Sequence, residues 1–217
     1  MTTREEFLGT IRVRLKDGIP ANPVRPVVPD WRVEPIGYTA DLSDPVASFR
    51  GAAIAAGAEV LEPGGRSNAE VLAGILEDVH PPTAIVSRDP ECAGVAAILE
   101  SSGVRVLKTA DRDLAASAVL GVTGALAGIA LTGSVVVDSR RAGTRLASLL
   151  PEVHLVLLDP DRIVPTPGDI VRHIRRWMPQ GLPSNMVFIT GPSRSADIEL
   201  QLTVGVHGPK RVLIALI

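Results

Sequence analysis

The sequence has a single cysteine, Cys92, in 217 residues. One thiol excludes an intramolecular disulfide and a cysteine-ligated iron–sulfur or zinc site within one chain. Cys92 then reads as a small core hydrophobe. Aromatic residues make up only 3%, which leaves too few rings for a base-stacking surface. Neither sign of charge is in excess, and a net charge of -2 gives no bulk pull toward nucleic acid or anionic lipid, although Arg172, Arg175 and Arg176 form a local basic face. No apolar run reaches the roughly 18 residues of a membrane span. The opening MTTREEFLGTIRVRL carries charges through its apolar positions, unlike a signal peptide. A soluble, cytoplasmic protein is expected, and 46% hydrophobic residues suffice for a sizeable core.

Phe7, Leu8, Ile11 and Leu15 recur at helical spacing, so an amphipathic helix is predicted over 3–16, ending near Gly18. Pro20, Pro23, Pro26, Pro29 and Pro35 then forbid a regular helix and remove sheet donors. Residues 1–36 are therefore read as a helix and proline-rich arm, and 37–217 as the main α/β domain. From Ser43 the chain alternates helix and strand. Ser43-Asp44-Pro45 starts a helix running to about Gly57, before a strand at 58–61. Ser67 and Glu70 have capping-box spacing ahead of the stripe Val71, Leu72, Ile75, Leu76 and Val79. A strand at 83–87, a helix at 90–101 and a strand at 104–107 follow. Short, nearly continuous apolar strands between helices point to a parallel sheet covered on both faces.

A helix is expected at 111–118, then three closely spaced strands at 119–123, 126–130 and 134–138, where the sheet gains antiparallel or tightly joined members. A helix near 144–150 and a strand at 154–158 restore the alternation. Pro167 opens a helix with Ile170, Ile174, Trp177 and Met178 on its buried face, and strands at 186–189 and 212–217 complete the pattern.

Two stretches could carry chemistry and are expected to face one pocket. In Gly121–Ser134, GVTGALAGIALTGS, the glycines Gly121, Gly124, Gly128 and Gly133 allow close backbone approach, and Thr123, Thr132 and Ser134 supply hydroxyls. The spacing matches neither phosphate-loop motif, and tight turns between small-residue strands explain it equally. Arg140, Arg141 and Arg145, after the strand ending at Asp138, are placed to clamp a small anion at a carboxyl edge, or else to pair with Asp138 or Glu152. His154 and His173 read as structural. In Thr190–Pro209, TGPSRSADIELQLTVGVHGP, Ser193 and Arg194 follow a Gly-Pro turn. Asp197 and Glu199 share a face only on a strand. His207 could serve as a general acid or base, and Arg194 could equally form an internal ion pair with Asp197 or Glu199.

These motifs, with the segment from Arg141 to His154, closely resemble the lactate-utilisation protein C (LutC/YkgG) family of LUD-domain proteins over roughly residues 40–217. The resemblance implies a three-layer Rossmann-like α/β fold of the NagB/RpiA/CoA transferase-like type. It also implies a role in oxidising L-lactate to pyruvate beside two iron–sulfur partners, LutA-like and LutB-like, which carry the clusters while this chain holds no cofactor. Many relatives read A-E-T-G where this chain has Ala130-Leu131-Thr132-Gly133, so an acid is missing. That shifts the expectation from a freestanding isomerase- or transferase-like enzyme on a sugar phosphate or acyl-CoA toward a subunit with a small anionic ligand. Gly124, Thr132, Gly133, Ser134, Arg141, Arg145, Ser193 and Arg194 are the candidates for that ligand, and Glu199, His207 and Asp197 are the weaker candidates for catalysis. A non-enzymatic scaffold or regulator of lactate metabolism is the third reading.

Overall fold

The computed structural model describes residues 3–18, 42–62, 64–65, 67–107, 115–177, 183–196, 202–205 and 207–217, with the side chains of 14–18, 68, 173–177, 195–196 and 202–204 left out. The chain divides into two units, Met1–Thr39 and Ala40–Ile217. The first contains α1 (Arg4–Gly18). The proline-rich arm and the start of the helix expected at 111–118 lie outside the described residues, as does Met178. The side chains of Ile174, Arg175, Arg176, Trp177 and His173 lie outside them too.

The second unit opens with α2 (Pro45–Ala55), started by the Asp44 carboxylate, which accepts from the Val46 and Ala47 N–H groups. Then come β1 (Glu59–Leu61), α3 (Asn68–Val79), β2 (Thr83–Val86), α4 (Val95–Ser101) and β3 (Arg105–Val106). The capping box ahead of α3 forms: Glu70 N–H donates to Ser67 Oγ at 3.3 Å, and Ser67 N–H to Glu70 Oε2 at 2.7 Å. The predicted helix over 90–101 is interrupted. Pro90–Cys92 make one 3-10 turn, the chain reverses at Gly94 with φ 81°, and only then does α4 begin.

Further along are β4 (Leu120–Gly124), β5 (Ala127–Ile129), β6 (Ser134–Asp138), the single-turn α5 (Ser139–Ala142) and β7 (Val153–Leu158). They are followed by β8 (Ile163–Val164), α6 (Pro167–Trp177), β9 (Met186–Ile189), β10 (Arg194–Ala196), β11 (Leu202–Val204) and β12 (Arg211–Leu216). The helix expected at 144–150 is only a 3-10 turn, Leu146–Ser148. Six strands form one parallel sheet in the order β1-β12-β7-β4-β2-β3. Of the three closely spaced strands, β4 joins it and the other two do not. β5 and β6 pair antiparallel and build a second sheet, β8-β5-β6-β9, while β10 and β11 make a hairpin. A three-residue strand such as β5, bounded by a turn at 130–133, folds back on its neighbour more readily than it crosses over to a parallel partner.

Both faces of the parallel sheet are buried, and the alternation of side chains divides its core in two. Leu155 and Leu157 of β7 and Leu213 and Ala215 of β12 join Val71, Leu72 and Ile75 of α3 and Leu99 of α4. Val156, Leu158, Ile214 and Leu216 turn the other way, onto Phe49 and Ala53 of α2 and Val135 of the second sheet. Each such aliphatic side chain contributes roughly 2 kcal/mol by leaving water. Among the described residues, no helix is long and apolar enough to cross a membrane.

Gly133 ties the second sheet to α2. It has φ 63°, and a Cβ there would meet the backbone of Ala52 and Ala53. A Gly133→Ala variant is expected to lose about 2 kcal/mol or more from the left-handed backbone and the clash together, read as a lower urea midpoint at unchanged slope.

Candidate functional site at the carboxyl edge of the sheet

The chain leaving β2 goes outward to β3, whereas the chain leaving β4 ends up on the other side, at β7. Adjacent parallel strands whose connections diverge leave a crevice at their carboxyl ends, the usual ligand position in open α/β sheets. Here the crevice is filled by charge. After β2, the N–H of Ser87 continues the ladder by donating to Val122 O at 2.9 Å, and the N–H of Arg88 donates to Ala142 O of α5 at 2.9 Å. The loop is thereby held between β4 and α5, and it delivers two carboxylates.

Asp89 is 3% exposed. Its Oδ2 accepts from the Ser87 hydroxyl at 2.6 Å and the Gly124 N–H at 3.1 Å, and Arg141 Nε lies 3.5 Å from Oδ1. Burial pushes the carboxyl above its ordinary range, while the Ser87 hydroxyl, the Gly124 N–H and the Arg141 charge oppose that rise. Glu91 places both oxygens on Arg141 Nη2, at 2.7 and 2.6 Å, with Arg162 Nη2 at 4.0 Å. A Cβ at Gly124 would collide with both acidic side chains, so this close approach needs glycine. Beside Glu91, an apolar cavity of about 40 Å³ runs past Ile75, Val95, Ile98, Leu157 and Ile217. The arrangement offers guanidinium groups to a carboxylate, a carboxylate beside an apolar wall, and water excluded from one side.

A second polar cluster joins the two stretches singled out in the sequence. Ser134 Oγ lies 2.7 Å from Thr132 Oγ1 and 2.7 Å from Thr190 Oγ1. These hydroxyls link β6 to the residue after β9.

Residues 69–217 match the sequence profile of the LUD domain. The chain belongs to the LUD domain family. Among curated relatives, a "Lactate utilization protein C" of Halalkalibacterium halodurans is 33% identical over 150 residues, 65% of each chain. Another, of an Exiguobacterium species, is 38% identical over 110 residues, 50% of this chain and 48% of its own. The chain thus spans about half to two thirds of these relatives' length. A solved DUF162 family protein from Deinococcus radiodurans shares the fold, with a TM-score of 0.61 at 22% identity over 82% of this chain and 98% of that one.

Within this LUD domain, the residues expected around one pocket fall at separate places. Gly124 and Arg141 meet at the β2/β4 edge, joined by Asp89 and Glu91, which the sequence reading missed. Arg141 pairs with neither Asp138 nor Glu152: Asp138 caps α5 by accepting the Arg140 N–H, and Glu152 faces Lys210 at 3.3 Å. The overlooked signal was Asp89-Pro90-Glu91 immediately after a buried strand, which reads as a helix start until the turn at Gly94 is known. Gly133 packs against α2, while the Thr132 and Ser134 hydroxyls meet Thr190 after β9. Arg145 Nη2 donates to Ser184 Oγ at 2.9 Å near the surface. Ser193 is held through its backbone, by Pro209 O and the Gly205 N–H, each at 2.9 Å. The Arg194 guanidinium lies over Gly57, just past α2. His207 is exposed, and Asp197 and Glu199 lie outside the described residues.

His154 is structural in geometry. It is fully buried on β7, one ring nitrogen 2.8 Å from Thr123 Oγ1 and Nδ1 without a partner among the described residues. Burial lowers its pKa from 6.5 to about 3. The unfolded chain therefore takes up this proton first as the pH falls. Stability is expected to drop between pH 6.5 and 3 by up to about 1.4 kcal/mol per pH unit from this group, and a His154→Gln variant followed by urea unfolding should lack that increment. Asp89→Ala strips Arg141 of one partner and orphans the Gly124 N–H, so a loss of about 3 kcal/mol is expected in the same measurement at pH 7.

Proposed function

We propose that this chain acts in lactate utilisation, as a subunit required for oxidising L-lactate to pyruvate together with iron–sulfur partner proteins, and that it binds a small anionic ligand. The similarity to several proteins named lactate utilization protein C, at 33% and 38% identity for the two described, carries the reading. Guanidinium groups at the carboxyl edge of a parallel sheet support the ligand class. The reading assigns the clusters to the partners, because cluster ligation needs several thiolates. This chain has one thiol, Cys92, which is buried beside Ser87 with its pKa pushed up to about 12, chiefly by burial.

Purification from the native cell with this chain as bait should bring down the iron–sulfur subunits. L-Lactate-dependent reduction of an electron acceptor by that assembly should fall at least tenfold when the chain is omitted and return when it is added back. Undiminished lactate oxidation and unaltered growth on lactate without the gene would sink the proposal.

A further inference from the structure

Asp89 and Glu91 sit two residues apart and are held in different ways. Asp89 is built in, with a hydroxyl and a backbone N–H on one of its oxygens. Glu91 is held at its tip by Arg141, with Arg162 at 4.0 Å, and among the described residues no hydroxyl or backbone N–H donates to it. Its side chain is chemically a tethered propanoate. It occupies the switch point between β2 and β4, against Gly124 and beside the apolar cavity, where an open α/β sheet ordinarily receives a ligand.

We propose that this place is a binding site for a free short-chain monocarboxylate, and that Glu91 is an internal stand-in which the ligand displaces from Arg141. A monocarboxylate presents the same group to the same guanidinium groups, so exchange leaves the charge around buried Asp89 unchanged. A dianion such as phosphate adds a second negative charge beside Asp89 and, among the described residues, finds no charged donor there beyond Arg141 and Arg162. The cavity, at about 40 Å³, has room for roughly three water-sized groups, enough for a methyl or a short methylene tail. Glu91 lies on a short turn between exposed Pro90 and Ala93, which gives its side chain a way out to solvent. Arg141 stays oriented by Asp89 throughout, and Arg162, 39% exposed in its side chain, stands at the outer side to receive the incoming group. The choice of L-lactate among such ligands rests on the lactate-utilisation reading, whereas the site rests on this geometry.

The test is calorimetry on the full chain with propanoate, L-lactate and inorganic phosphate, for the wild type, Glu91→Ala and the double variant Glu91→Ala/Arg141→Gln. Glu91→Ala is expected to bind propanoate at least tenfold more tightly than the wild type, and the double variant to lose that gain, with phosphate unbound throughout. If Glu91→Ala does not fold, as judged by circular dichroism, the isosteric Glu91→Gln carries the same expectation. Propanoate binding that does not tighten on removal of Glu91, or that survives loss of Arg141, overturns the site and leaves lactate oxidation to be judged by the assembly assay. Tightened propanoate binding with no binding of L-lactate upholds the site and counts against lactate as its ligand.

Discussion

Once β2 and β4 run side by side with both faces covered, the Asp89 carboxylate at their shared end is cut off from water, and its donors must come from the protein. The Ser87 hydroxyl, the Gly124 N–H and the Arg141 guanidinium each come from a different segment of the chain: the loop after β2, the end of β4 and the turn after β6. Satisfying one buried carboxylate therefore joins the parallel sheet to the second sheet. The position of Glu91 follows, because Arg141 has further donors to share once Asp89 has oriented it.

The hydrophobic layers make this possible. Strands buried on both faces leave little room for polar chemistry along their length, so charged groups collect where the strands end. His154 and Thr123 are buried polar residues inside the sheet, sharing a hydrogen bond, and burial keeps the imidazole neutral. Thr132, Ser134 and Thr190 show the milder form of the same constraint, three hydroxyls meeting one another where β6 and the end of β9 come together.

Much of the fold was legible from local patterns. The Ser67 and Glu70 spacing became a capping box, Asp44 and Pro45 opened α2, and the apolar runs became central strands, because each depends on neighbours within a few residues. Resemblance to the LUD family was legible for the same reason, since its motifs are contiguous. The candidate site was only half legible. Gly124 and Arg141 stood out as unusual residues in their own segments, but their partners did not, because Asp89-Pro90-Glu91 looks like an ordinary helix start.

The sequence by itself determined the parallel α/β character, the helix starts and the two polar stretches, all of which follow from periodicity and short-range capping. Tertiary structure alone decided which polar groups share a place. Glu91 and Arg141 are 50 residues apart, and Asp89 and Gly124 are 35, so no local pattern relates them. Only the strand order, with β4 laid beside β2 and β5 and β6 diverted into a second sheet, brings a carboxylate, a glycine and an arginine to one edge. The sequence offered one pocket for two stretches. The packing made two clusters instead, because Gly133 was drawn against α2 and the hydroxyls to the end of β9, while Gly124 and Arg141 were drawn to the buried carboxylate.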